Sequence, residues 1–263
     1  ISSIEHPCVM NTVKELQAEN DIALVVLEVN NLGLINLSEL EASLSSSQEK
    51  TLVSIMHVNN ELGTMQDLEA ISSLCIKYNA LFHCDAVQSV GKLPIDLQAT
   101  KIDFLSATAH KFHGPKGTGF MYIKNDHSIT PFITGGGQER NMRSGTENVH
   151  GIAGLAHALK LYRENGQEKL AKISELKSMF KNALLAALPD ITFIEDGAPE
   201  LFMPTILSAS FPANAKTDLI TFNLDIAGIS ASAGSACASG VEQTSHVLEA
   251  IKFPEDRRAV RFS

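Results

Sequence analysis

The chain has 263 residues, 44% of them hydrophobic, and a formal net charge of −9. That is apolar material for one large core or two smaller ones, while the acidic balance, without any run of Lys or Arg, argues against a nucleic-acid binder. No apolar stretch reaches membrane-span length and ISSIEHPCVM does not have the form of a signal peptide; the four cysteines show no CxxC spacing, which fits reduced thiols in a cytoplasmic setting.

From His6 onward, HPCVMNTVKELQAEN reads as a helix. Ala23–Val29 (ALVVLEV) is a short apolar run bounded by polar residues, and Thr51–Val58, Leu81–Ala86 and Phe104–Ala107 repeat the pattern. Each is expected to be a buried strand. Between them the helical period appears over Ser38–Ser46, with Ser38 as the N-cap, and over Asp67–Tyr78, with Leu68, Ile71, Leu74 and Cys75 on one face. Strands alternating with helices predict an α/β domain with a mostly parallel sheet covered on both sides. Val149–Leu188 is helical in pattern, with a break expected at Asn165-Gly166. That break divides the chain into a large domain, 1–165, and a small one, 166–263. The second part continues with a strand-like ITFIE, the run TILSASF and a helix around Leu219–Leu224. The glycine-rich ISASAGSACASG, a helix over Ser245–Ile251 and a strand AVRFS follow.

In parallel sheets, ligands bind outside the carboxyl ends of the strands. After TLVSIMHV come Asn59, Asn60 and Glu61; after LFHC come Asp85 and Gln88; after FLSATA come His110 and Lys111. Singly, each has an ordinary reading: Asp85 as the cap of a turn, Asn60 as a turn residue, His110 as a half-buried histidine, Lys111 as a solvated loop lysine. Together they put an acid, amides and a lysine around one crevice. Pyridoxal 5′-phosphate needs that combination: a lysine for the Schiff base and an acid to keep the pyridine nitrogen protonated.

The stretches HVNNELG, HCDAVQSVGKLPIDL, SATAHKFHGPKGTGF, GGGQERNMRSGTENV, GSACASG and RFS occur in this order. The set closely resembles the cysteine desulfurases of the class V aminotransferase family, in the group that supplies sulfur for iron–sulfur clusters. The resemblance implies a pyridoxal-phosphate-dependent transferase of fold type I, like aspartate aminotransferase, with a smaller α/β C-terminal domain. It implies Lys111 as the lysine that carries the cofactor, Lys116 being a turn lysine, and Thr108 and His110 as ligands of the phosphate. Asp85 would pair with the pyridine nitrogen, Gln88 would bond the ring hydroxyl, Asn60 would lie beside cofactor and substrate, and His6 would stack on the ring. Thr146 would reach the phosphate of a neighbouring subunit, so a homodimer with shared sites is expected. Arg261 would hold the carboxylate of L-cysteine by two hydrogen bonds.

Among the cysteines, Cys75 on an apolar helix face and Cys84 inside a strand read as core residues, and Cys8 has no supporting pattern. Cys237 sits among Gly, Ala and Ser, in a stretch with little apolar area to order it. It reads either as a small residue of a tight loop or as the nucleophile the resemblance implies, taking the sulfur of L-cysteine as a persulfide for a sulfur-acceptor or scaffold protein and leaving L-alanine. The family's chains begin earlier, with a strand and a Gly–Thr phosphate turn, and continue past RFS; against that pattern this chain reads as lacking both. Thr244 stands where the group usually has proline. Two other readings accompany the first: a selenocysteine lyase or cysteine sulfinate desulfinase on the same fold, and a shortened chain that does not retain the cofactor.

Overall fold

The computed structural model of the chain describes residues 1–20, 22–233 and 245–263. In chain order the first elements are α1 (Pro7–Asn20), α2 (Leu37–Ser46), β1 (Leu52–Ser54), α3 (Leu68–Lys77), β2 (Leu81–Asp85), β3 (Phe104–Thr108) and β4 (Gly119–Ile123). They are followed by α4 (Val149–Ala187), β5 (Thr192–Phe193), β6 (Leu207–Pro212), α5 (Ile220–Ile226), α6 (His246–Ala250) and β7 (Arg257–Phe262). The described residues gather into two compact units. One consists of Glu49–Ile55 and Leu68–Gln167, the other of Ile1–Gln48, Met56–Asp67 and Glu168–Ser263. This partition differs from a cut at 165/166, because Ile1–Gln48 and Met56–Asp67 group with the C-terminal part.

The first unit is built on a sheet of order β1-β2-β3-β4. β1, β2 and β3 run parallel, in register Leu52↔Leu81 and His83↔Phe104, and β4 returns antiparallel to β3, Thr108 opposite Gly119. Phe82, Cys84, Leu105 and Ala107 are buried, as are Leu68, Ile71 and Cys75 of α3. The His83 ring joins the three parallel strands, 2.8 Å from Ser54 Oγ and 2.9 Å from Ser106 Oγ. Burial holds its pKa below the ordinary value although Asp85 pulls the other way.

The second unit carries an antiparallel sheet of order β5-β6-β7. Ile191, Phe193, Leu207, Ala209, Phe211 and Val260 make its core. The carboxylate of Glu195, 7% exposed, joins this layer to α4 through Lys177 and, at 3.2 Å, Lys181. The mostly parallel α/β sheet expected for the large domain is present, and Cys75 and Cys84 are core residues, 2% and 0% exposed.

Several local expectations are corrected. Ala23–Val29 is not a strand. Leu27 and Val29 make single bridges to Ser2 and Ile35, and Val25 and Val26 are 52% and 41% exposed. Residues 1–3 lie alongside, with Leu27 N donating to Ile1 O and Ser3 N to Leu27 O at 2.9 Å each, but among the described residues the pairing is too short for a ladder. The Thr51–Val58 run shortens to β1, because Val58 pairs with Met65 in a hairpin instead. The cap of α2 is Asn36, not Ser38: its side-chain oxygen accepts from Ser38 N at 3.0 Å and Glu39 N at 3.4 Å. α4 runs unbroken through Asn165-Gly166. A Cβ at Gly166 would lie 2.5 Å from the Tyr162 ring, so the glycine makes room for an aromatic one turn earlier and does not end the helix. β4 was not foreseen.

Candidate active site

In the first unit, two parallel strands end side by side. Asp85 closes β2 opposite Ser106 of β3, two residues before Thr108 closes β3. The Asp85 carboxylate is buried, 8% exposed, and its Oδ1 accepts from Val87 N at 3.0 Å. It therefore does cap the next turn, as its ordinary reading had it, and it remains a buried acid that forms no ion pair with a lysine or arginine among the described residues. The turn continues with Ser89 N and Val90 N donating to Ala86 O, and it presents Gln88 and Lys92. Lys92 Nζ donates to Gln88 Oε1 at 3.3 Å.

After β3 the chain makes a single 3₁₀ turn, Ala109–Phe112, that carries His110 and Lys111. Its apolar residues Ala109 and Phe112 pack with Val90 and with Leu155, Ala158, Leu159 and Tyr162 of α4. The turn closes on β4, Ala109 N donating to Thr118 O at 3.0 Å. A Cβ at Gly119 would come within 2.6 Å of Ala107 O, and one at Gly114 within 2.7 Å of Ala109 Cβ, so SATAHKFHGPKGTGF needs these two glycines for close packing. Thr108 Oγ1 lies 2.9 Å from His110 Nδ1.

The charge around this turn is positive. Burial first, and the Lys111 charge second, push the Lys92 pKa down to about 8. Loss of hydration and then the charges of Lys111 and Lys116 lower that of His110. A group of cations without carboxylate partners calls for an anion, and a buried carboxylate at the adjoining strand end calls for a cation. A phosphorylated ligand with a protonatable ring nitrogen meets both demands, so the residues present fit pyridoxal phosphate. Thr146 is exposed in the loop before α4. That loop follows Glu139, Arg140 and Asn141, three successive residues with positive φ (46°, 55° and 65°).

His6, Asn60 and Arg261 belong to the second unit. HVNNELGTMQ forms a tight hairpin in which Asn59 N donates to Thr64 O and Gly63, at φ +85°, donates to Asn59 O. The Asn59 side chain, fully buried, accepts from Glu61 N and Leu62 N at 2.9 Å each and donates to Ile4 O at 3.0 Å. It thereby fixes both the tip that carries Asn60 and the segment that carries His6. Arg261 Nη1 donates to Asn60 O at 3.0 Å, and its backbone pairs with Ser232. His6 precedes α1, with its Nδ1 accepting from Cys8 N at 3.2 Å and lying 3.0 Å from Cys8 Sγ. Glu61, 4% exposed, accepts from Ser245 Oγ at 2.6 Å, and Ser245 also caps α6.

The structure thus groups Asp85, Gln88, Thr108, His110 and Lys111 in one unit, and Asn60 with Arg261 in the other. Cys237 and Thr244, and the loop around Cys237 beyond Ala233, lie outside the described residues. Sequence reasoning named Glu61 at its strand end without giving it a role, and it missed Lys92. Lys92 stands inside HCDAVQSVGKLPIDL, and the signal was a charged residue on a turn otherwise made of small and apolar ones.

Comparison with known proteins agrees. The family model of class-V aminotransferases matches residues 1–263. A cysteine desulfurase of Nostoc sp. is 38% identical over 264 residues, which cover 100% of this chain and 64% of that protein. Cysteine desulfurase IscS of Clostridium botulinum is 37% identical over 255 residues, 97% of this chain and 63% of that one. The chain therefore spans just under two thirds of the length of these curated relatives. Among solved structures, the NifS-like protein from Rickettsia africae superposes with a TM-score of 0.87 at 32% identity, covering 100% of this chain and 68% of that one. The fold is that of the fold type I, pyridoxal-phosphate-dependent transferases, and the chain belongs to the aminotransferase class-V family.

Proposed function

We propose that this chain belongs to a pyridoxal-phosphate-dependent cysteine desulfurase, which converts L-cysteine to L-alanine and leaves a persulfide on Cys237. The observation that carries the reading is the pairing of the Lys111 turn at the end of β3 with the buried Asp85 at the end of β2. Lys111 would hold the cofactor covalently, with Thr108 and His110 on its phosphate and Thr146 reaching the phosphate of the second subunit of a homodimer. Asp85 would favour the protonated ring nitrogen by its charge, and Gln88 would donate to the ring hydroxyl oxygen. When bound, the cofactor supplies the electron sink for chemistry at the substrate carbons. His6 would stack on the ring, Arg261 would bind the substrate carboxylate through its guanidinium, and Asn60 would lie beside both. The Cys237 thiolate would attack the substrate sulfur: an S–S bond forms, the C–S bond breaks, and the carbon keeps the electron pair and takes a proton. The sum is L-cysteine plus a thiol giving L-alanine plus a persulfide, balanced without an outside oxidant. The persulfide would pass to an acceptor or scaffold protein for iron–sulfur cluster assembly, in the cytoplasm. Among the described residues no helix is long and apolar enough to cross a membrane.

The test uses the protein loaded with pyridoxal phosphate. Borohydride should trap the cofactor on the peptide of Lys111; a label on Lys116 overturns the assignment. Incubation with L-cysteine and no reductant should add one sulfur to the tryptic peptide of Cys237, and none in Cys237→Ser. Alanine formation unchanged in Cys237→Ser defeats the mechanism and favours release of selenium or sulfite from other substrates. A chain that takes up no cofactor at all defeats the reading.

A further inference from the structure

We propose that Lys92 is a positioning residue for Gln88: its ammonium occupies Gln88 Oε1 and so fixes which end of the side-chain amide is offered to the cofactor. The inference deepens the proposed function and rests on it.

A glutamine amide has an accepting end and a donating end that differ little in shape, and only its partners decide which way it lies. Lys92 Nζ is purely a donor, and it lies 3.3 Å from Gln88 Oε1. With Oε1 taken, the N–H groups of Nε2 are what the amide has left to give. The ring hydroxyl of pyridoxal phosphate, ionised or not, presents an oxygen that accepts from such a donor. Against the ionised oxygen, a flipped amide would set acceptor against acceptor.

The backbone supports this geometry. Lys92 N and Leu93 N both donate to Ser89 O at 2.9 Å, which closes the turn between Gln88 and Lys92. Gly91, at φ +80°, lets the turn lie directly on Phe112, since a Cβ there would come within 2.9 Å of Phe112 Cβ. Phe112 follows Lys111 in the 3₁₀ turn, so one contact sets Lys92 against both Gln88 and the lysine of the proposed site. Lys92 has no carboxylate partner among the described residues, and the charged group facing it is Lys111. An ammonium kept half-buried beside a second lysine is an unfavourable arrangement for stability alone, and a role at the site accounts for it.

The experiment compares wild type, Lys92→Met, Lys92→Arg, Gln88→Ala and the double variant Lys92→Met/Gln88→Ala, all as full chains. In the cofactor-free chain, the side-chain amide signals of Gln88 in ¹H–¹⁵N NMR should titrate with Lys92, with an inflection near pH 8, and lose that inflection in Lys92→Met. Pyridoxal phosphate should bind Lys92→Met about tenfold more weakly, the weight of one oriented hydrogen bond, and Lys92→Arg should regain most of the loss. On the Gln88→Ala background, Lys92→Met should cost nothing further. Additive losses in the double variant would mean that Lys92 meets the cofactor itself and would overturn the inference. So would Gln88 signals indifferent to the Lys92→Met change. A wild-type chain that binds no cofactor defeats the proposed function itself, while the NMR comparison still decides whether the ammonium holds the amide.

Discussion

His57 opens the hairpin that presents Asn60, and replacing it should change how the protein responds to acid. Its Nδ1 is buried and has no hydrogen-bond partner among the described residues. Its backbone carbonyl accepts from Gln66 N at 2.8 Å, so the residue cannot move out without opening the hairpin. Burial lowers its pKa from 6.5 to about 4. Between those values the unfolded chain takes up a proton that the folded chain refuses. Stability therefore falls as pH drops through this window, and the contribution is intact above it. At about 1.4 kcal/mol per pH unit the whole window is worth about 3 kcal/mol, and about 2 kcal/mol is gone by about pH 5. Urea unfolding of wild type and His57→Gln at about pH 7.5 and about pH 5 isolates the effect, because every other group is common to both chains. Wild type should lose about 2 kcal/mol more than His57→Gln between the two conditions. A gap that changes by less than about 0.5 kcal/mol would refute the reasoning, since surface substitutions alone fall within that range.

Gly91→Ala should destabilise the first unit by about 1–3 kcal/mol, because it combines a positive φ with a Cβ pressed on Phe112. Thermal unfolding measures this, and a neutral result would mean that the Lys92 turn is not held against Phe112. Glu195→Gln should cost about 3 kcal/mol, the scale for breaking a buried ion pair, because it leaves Lys177, whose side chain is 12% exposed, without its carboxylate. A loss below about 1 kcal/mol in denaturant unfolding would show that the pair behaves as a solvated surface bridge.

The strands with chemistry at their ends were legible because two signals coincide there: an apolar run of strand length and polar residues at its carboxyl end. Asp85, Gln88, Thr108, His110 and Lys111 all stand where that rule put them. Ala23–Val29 carries the first signal but makes only isolated bridges among the described residues, and a single sequence cannot say how far a pairing extends. The unbroken α4 was hidden for another reason. Asn165-Gly166 is a strong local signal for a break, and it is overridden by the Tyr162 ring, which needs the space of the missing side chain. Asn36 was passed over as a cap because Ser38 suited the same role and the choice between them is fixed by backbone angles. Lys92 escaped notice because its importance lies in what it touches, Gln88 at a spacing of four on an irregular turn.

The two sets of site residues differ in how far apart in the chain their contacts lie. Thr108 and Thr118, which close the loop that bears Lys111, are 10 residues apart, whereas the bond from Arg261 to Asn60 spans 201. Loop-closure entropy makes the first contact cheap and quick to form and the second slow. The lysine loop can therefore take shape while most of the chain is still unstructured, and the arginine is anchored only when β7 joins β6. During synthesis the same order is imposed by the ribosome, which delivers Lys111 well before Arg261. The loop that bears Lys111 is thus an early-folding element, and the arginine's anchorage is one of the last native contacts to be made.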